Sequence, residues 1–271
     1  MLHRWRDDLA AWAIPDEIAA QVSESPWVLP RQVFARRAER HARQPFGNSF
    51  VRAREALEPH GEVLDVGAGA GAACLPLAPW ATRITAVDVD PDLLAVLLTT
   101  AAGLGTTVHT VTGRWPQVAG QVGPADVVTC YNVLYNVPDL EPFVAALTRH
   151  ARRRVVVEIT RCHPLAALNE LWERFHGLRR PEGPTADDLL AILRGMGLDA
   201  AAEGWARQGG AEYASFGELV DVTRRRLCLP PGRAGEVAAA LRESGVDPDK
   251  PPDLGSSGRE LVTIWWPAHP A

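Results

Sequence analysis

Apolar positions along the 271-residue chain change period near residue 60. Before that point Trp5, Leu9 and Trp12 recur at helical spacing. Pro30 then opens PRQVFARRAERHAR, where Phe34 and Ala38 share a face and arginines cover the rest. Residues 1–58 hold no strand candidate and cannot build a core alone. They are expected to form a helical cover on a following domain, residues 59–271. Trp27, between Pro26 and Pro30, is expected to be a buried wedge.

From Gly61 onward short Val/Ile-rich runs alternate with helical ones. GEVLDVG, TRITAVDVD, TTVHTVTG, ADVVTCYN and RRVVVEIT read as strands. AACLPLAPW, PDLLAVLLTTAAGLG and LEPFVAALTRHA read as helices, with Pro91 in a first turn where a missing N–H costs nothing. A helical insert at about 161–180 follows, and Thr185 with Asp188 forms an approximate capping box for ADDLLAILRGMG. The tail holds a strand (LDAAAEGWAR), two helices (ASFGELVDVTRRRLCL and RAGEVAAALRES) and a closing strand (RELVTIWWP). Apolar strands separated by helices predict an α/β fold with a doubly wound, mostly parallel sheet. A last strand reached without a standard crossover would lie antiparallel.

Charge and cysteine usage then remove whole classes. With 28 basic against 33 acidic residues the net charge is −5, which disfavours nucleic acid as a partner. The runs Arg152-Arg153-Arg154 and Arg224-Arg225-Arg226 read as solvated helix ends or faces. Four dispersed cysteines and eight scattered histidines contain neither a C-x-x-C nor an H-x3–5-H pair, so no metal site is expected. Free thiols in a reducing cytoplasm are the simplest reading. The N-terminal stretch carries acids and no cleavage site, unlike a signal peptide, and no apolar run is long enough for a bilayer.

The candidate chemistry centres on Glu62-Val63-Leu64-Asp65-Val66-Gly67-Ala68-Gly69-Ala70-Gly71, where the first strand turns into a helix. Glycines permit a tight turn and close ligand approach, and a helix N-terminus offers free N–H groups. Asp88 ends the second strand at the spacing of a ribose-binding acid. Asp65 stands just before the first glycine, where a diphosphate would be repelled and an ammonium welcomed. S-adenosylmethionine (SAM) has the ribose, the amino acid head and no phosphate. LDVGAGAG, AVDVDPDLL and ADVVTCYNVLYNVPDLEPFV resemble the class I SAM-dependent methyltransferases. SPWVLPRQVFARRAERH and WERFHGL further resemble actinobacterial members whose acceptor is undefined.

That resemblance implies a seven-stranded sheet with an antiparallel seventh strand. It implies that Asp65, Gly67, Ala68, Gly69 and Gly71 hold the methionine moiety, Asp88 the ribose, and Val89 one side of the adenine. Tyr131 and Asn132 would line the seam between cofactor and acceptor. Many relatives place an Asp after the third strand, but here the segment is Thr112-Gly113-Arg114-Trp115. Arg114 or Trp115 would then either pack on adenine or simply pack a loop. Candidate bases are Glu158, His163, Tyr131 and Tyr135, with His163 alternatively a helix cap. Trp172, Phe175 and His176 line either an acceptor pocket or the core. Without a D/N-P-P-Y/F/W motif, a Pro-Cys pair or clustered acids, the reading is methyl transfer to O, N or C of a small molecule, with no metal. The alternatives are an RNA or protein methyltransferase, an NAD-dependent oxidoreductase, and a SAM-binding module without catalysis.

Overall fold

A computed structural model describes residues 1–27, 30–207, 211–252 and 260–268. Val28, Leu29 and Arg259, which belong to segments read above, lie outside the described residues. Seven strands form one sheet: β1 (Gly61–Val66), β2 (Ala81–Asp88), β3 (Val108–Thr112), β4 (Ala125–Tyr131), β5 (Ala151–Thr160), β6 (Ala201–Ala206) and β7 (Glu260–Pro267). Their order is β3-β2-β1-β4-β5-β7-β6. β1 to β5 pair in parallel, and β7 runs antiparallel to both β5 and β6. The expected mixed sheet is therefore present, and its closing strand is internal.

Four helices precede the sheet: α1 (Leu2–Ala10), α2 (Asp16–Ala19), α3 (Arg31–Arg43) and α4 (Asn48–Leu57). The rest are α5 (Pro91–Gly103), α6 (Leu140–His150), α7 (Asn169–His176), α8 (Ala186–Gly195), α9 (Phe216–Arg226) and α10 (Ala234–Glu243). One sheet face (Leu64, Val128, Val155, Val157, Ile264) packs on α6 and α8, and Trp5 of α1 joins that core. The other face (Val63, Ile84, Val127, Val156) packs on Ala53 and Leu57 of α4 and Leu94 and Leu97 of α5. A third cluster joins Val33 of α3 to α7, α9 and α10. The N-terminal helices thus share every core of the molecule. Full burial of each large side chain contributes about 1.5–3 kcal/mol.

Local chemistry fixes the helix ends. Asp90 Oδ1 accepts from the N–H groups of Asp92 and Leu93 at 2.9 and 3.2 Å, starting α5 with Pro91 in its first turn. The Thr185–Asp188 box closes reciprocally at the start of α8. AACLPLAPW departs from expectation. Residues after the glycines form turns and then a 3₁₀ helix, Leu75–Trp80. Pro76 and Pro79 each lack the N–H that an α-helical ladder would use there.

Three further expectations are corrected. Trp27 is 52% exposed, so it is no buried wedge. Arg152, Arg153 and Arg154 lie on β5, not on a helix, and pair with Glu62, Asp126 and Glu55. Arg224 and Arg226 are buried in the last turn of α9, where Arg224 donates to the Leu229 carbonyl and pairs with Glu24. A C-terminal turn welcomes cations, and here neighbouring segments cover them.

Candidate functional site

The carboxyl ends of β1, β2, β4 and β5 meet at the glycine turn. The N–H groups of Gly67 and Ala68 both donate to the Val87 carbonyl, at 2.8 and 3.1 Å, tying the turn to β2. Gly67 has φ +76°, and a Cβ there would lie 2.3 Å from Val133. Gly69 has φ +51° and open space where a Cβ would stand. The first glycine is required by packing; the second leaves its backbone accessible from one side. Asp88 closes the turn by accepting from the Gly69 N–H at 2.7 Å and the Asp90 N–H at 2.9 Å, one on each oxygen. A carboxylate oxygen keeps acceptor capacity after one such bond. Val89 beside it is 56% exposed.

Asp65 is fully buried, and Thr129 Oγ1 donates to its Oδ1 at 2.8 Å. Its Oδ2 is enclosed without a hydrogen-bond partner. Burial raises its pKa from 3.8 to about 6, against the pull of Thr129 and Cys74. Oδ2 thus makes no hydrogen bond of ordinary geometry, although the Cys74 thiol and N–H still act on the carboxyl.

β4 and β5 bring the next group together by register, with Tyr131 opposite Glu158. Asn132 follows in a left-handed conformation, φ +59°. Its N–H donates to the Glu158 carbonyl at 2.8 Å and its side chain to Glu158 Oε1 at 3.1 Å. Tyr135 OH donates to Asn132 Oδ1 at 3.2 Å. Glu158 also lies 3.5 Å from Arg207, so its carboxylate orients Asn132 and Arg207. Tyr131 OH is enclosed without a partner, and burial holds its pKa well above the ordinary value. It is a neutral phenol, a donor and not a phenolate base.

Other expected site residues go elsewhere. The Trp115 indole is 5% exposed, donates to the Phe143 carbonyl at 3.4 Å and meets His150 edge-on. Having found a backbone acceptor in the core, it does not face an adenine; Arg114 remains exposed. His163 caps the 3₁₀ helix Pro164–Leu168 through Nδ1, which accepts from the Leu165 N–H, and it stacks on Trp12 at 3.8 Å. Burial and Arg180 lower its pKa to about 3. The ring is a cap and a stacking partner, not a base. Trp172 is core, packed under Arg180, and His176 Nε2 donates to the Leu227 carbonyl at 2.6 Å. Of the two alternatives, pocket or core, both side chains take the core one, against the third cluster.

Sequence reasoning missed His41, Arg37 and Arg207. His41, on α3, approaches the Ala72 backbone just past the glycines. Burial, then Arg207, Arg37 and Arg40, lower its pKa to about 3. Phe46 stands edge-on to it at 4.7 Å. Among the described residues no three His, Cys, Asp or Glu side chains converge as metal ligands would.

Comparison with known proteins gives this arrangement a lineage. Residues 36–203, from within α3 to the middle of β6, match the methyltransferase domain family. The ubiquinone biosynthesis O-methyltransferase of Methylococcus capsulatus is 33% identical over 180 residues, 65% of this chain and 73% of that protein. Its counterpart in Xanthomonas axonopodis pv. citri is 36% identical over 108 residues, 39% of this chain. That match spans only 44% of the Xanthomonas protein's length. In fold, the chain is similar to the YcgJ protein of Bacillus subtilis, with TM-score 0.53 and 17% identity over 82% of this chain and 99% of that one. It is also similar to a cyclopropane-fatty-acyl-phospholipid synthase-like protein of Lactobacillus casei, with TM-score 0.51 and 17% identity over 93% and 98%. Since the family match covers more than half the chain and runs through the glycine turn, Asp65, Asp88 and the β4–β5 seam, the protein belongs to the methyltransferase domain family.

Proposed function

We propose that the protein transfers a methyl group from SAM to an oxygen of a small molecule. The observation that carries this reading is the unused Asp65 oxygen, sealed beside the glycine turn. An ammonium fits it, and a pyrophosphate does not. When bound, SAM supplies a methyl group already activated on a sulfonium. The chain's own task is alignment, which can provide much of the rate acceleration. In this reading Asp65 and the Gly67–Gly71 turn hold the methionine head. Asp88 accepts from the ribose hydroxyls at the rim. Val89 and Arg114 flank the base, and Asn132, fixed by Glu158 and Tyr135, lines the seam where the acceptor approaches. Oxygen is favoured as the acceptor atom by the relatives' names, which are O-methyltransferases.

Three buried cysteines, Cys74, Cys130 and Cys228, carry free thiols, and among the described residues no helix is long and apolar enough to cross a membrane. A cytoplasmic enzyme fits both. The test is thermal unfolding with S-adenosylhomocysteine (SAH), SAM and NAD. A ligand that binds only the native state at one hundred times its Kd stabilises by about 2.7 kcal/mol. SAM and SAH are expected to raise Tm and NAD to leave it unchanged. The reverse pattern would return the chain to nicotinamide chemistry.

A further inference from the structure

Asn132 leaves β4 in a left-handed conformation, and the chemistry of its partners settles which way its amide points. The Glu158 carboxylate only accepts, so the amide nitrogen faces it at 3.1 Å. The amide oxygen is left for the Tyr135 hydroxyl, which donates at 3.2 Å. Tyr135 stands in the three-residue 3₁₀ helix Leu134–Asn136. Hydrogen-bond geometry in such short helices is poor, so they lean on their neighbours.

The neighbours here are the N-terminal helices. Trp5 of α1 donates through Nε1 to the carbonyl of Val137, the residue that ends this 3₁₀ helix, at 2.9 Å. Trp12, in the turn after α1, is tied to the Gly183 carbonyl at 2.6 Å and stacks on the His163 ring at 3.8 Å. That imidazole stands edge-on to Tyr135 at 5.8 Å, within the range that edge-to-face aromatic pairs favour. Trp5, Trp12, His163 and Tyr135 are all buried. A continuous line of ring contacts therefore runs from Trp12 through His163 to the phenol whose hydroxyl holds Asn132.

We propose that Trp12, His163 and Tyr135 are positioning residues for the Asn132 carboxamide, so that the N-terminal helices, besides covering the sheet, set the acceptor side of the site. Its functional half rests on the methyltransferase reading above, in which Asn132 lines the seam. Trp5 fixes the backbone beyond Tyr135, and Tyr135 fixes the side chain. Without the phenol hydroxyl, Asn132 keeps its bond to Glu158 but loses the contact at the other end of its amide. Without the rings behind it, Tyr135 itself is free to tilt. A role in packing alone would need the bulk of Tyr135 and not its oxygen.

The chain has four asparagines, Asn48, Asn132, Asn136 and Asn169. Full-length protein labelled with 15N-asparagine therefore gives four side-chain amide pairs in an NMR spectrum, and Asn132→Ser identifies one of them. Tyr135→Phe is expected to shift the Asn132 pair and leave those of Asn48 and Asn169 in place. Two variants of His163 separate its ring from its cap. His163→Phe keeps a ring against Trp12 and Tyr135, and should leave the Asn132 pair near its wild-type position. His163→Ser keeps an oxygen to accept from the Leu165 N–H but has no ring, and should shift the pair, as should Trp12→Leu. If Trp12→Leu fails to fold, the ring-and-cap comparison at His163 carries the test. An Asn132 pair unmoved by Tyr135→Phe, or one that follows the cap and not the ring, would overturn the proposal. So would movement of all four pairs together in Tyr135→Phe, which would mean general loosening. SAH added to wild-type protein should also move the Asn132 pair. SAH binding by calorimetry without that movement would overturn the functional half. No SAH binding at all would instead strike the methyltransferase reading, while the variants still decide what holds Asn132.

Discussion

Asp65 shows how a single buried carboxyl can cost the ligand-free protein stability. Its pKa rises from 3.8 to about 6, first because it is buried. Between those values the folded chain holds a proton that the unfolded chain releases. Stability therefore falls as pH rises from about 4 to about 6 and is level above that, a loss of roughly 3 kcal/mol. Asp65→Asn is expected to raise the Tm of the ligand-free protein at pH 7, with the gain vanishing below about pH 4. The same variant should weaken SAH binding at least about tenfold. Calorimetry and thermal melts at both pH values check the pair of effects; a variant less stable at pH 7 would contradict the burial argument. Asp65 and Asp88 could be read in the sequence because strand-end acids beside glycines have a fixed spacing. His41 and Arg207 could not. A histidine among arginines on α3 looks solvated until the helix docks, and docking depends on contacts far away in sequence.

At the scale of elements, the N-terminal helices are fastened by aromatic contacts that periodicity only half discloses. Trp12 Nε1 donates to the Gly183 carbonyl at 2.6 Å, its ring stacks on His163, and Arg180 lies over both Trp12 and Trp172 while donating to the Trp12 carbonyl. Trp5 makes a similar bond to the Val137 carbonyl at 2.9 Å. Trp12→Ala should cost about 3–5 kcal/mol, the range for a buried Trp truncation. Urea unfolding would measure it, and a loss below about 1 kcal/mol would mean that this clamp is dispensable. The spacing of Trp5, Leu9 and Trp12 foretold a helical face. It could not foretell that Trp12 would meet a histidine over 150 positions later. Local signals served better: Pro91, Asp90 and the Thr185–Asp188 box act within one turn. Trp27 and the arginines of α9 were misjudged because exposure belongs to the assembled chain.

For the whole molecule, the order of strands was legible as a class and not in detail. Alternating Val/Ile runs and helices announce a parallel sheet, and the tail announces an antiparallel closure. Nothing local states that β7 inserts between β5 and β6, since register is settled by pairing across the fold. That placement makes a prediction. A chain ending at residue 259 lacks β7, leaving β6 without its partner and one edge of β5 bare. Such a protein should be insoluble or fail to bind SAH, whereas soluble protein with native affinity would show that the sheet tolerates the gap. During synthesis, strands one to five can assemble while the ribosome is still working. The segment carrying Trp205 and Arg207 cannot join them until β7 has been made, because β6 pairs with the sheet through β7. The edge of the sheet that carries β6 is thus completed after β1 to β5 and the glycine turn can already stand together.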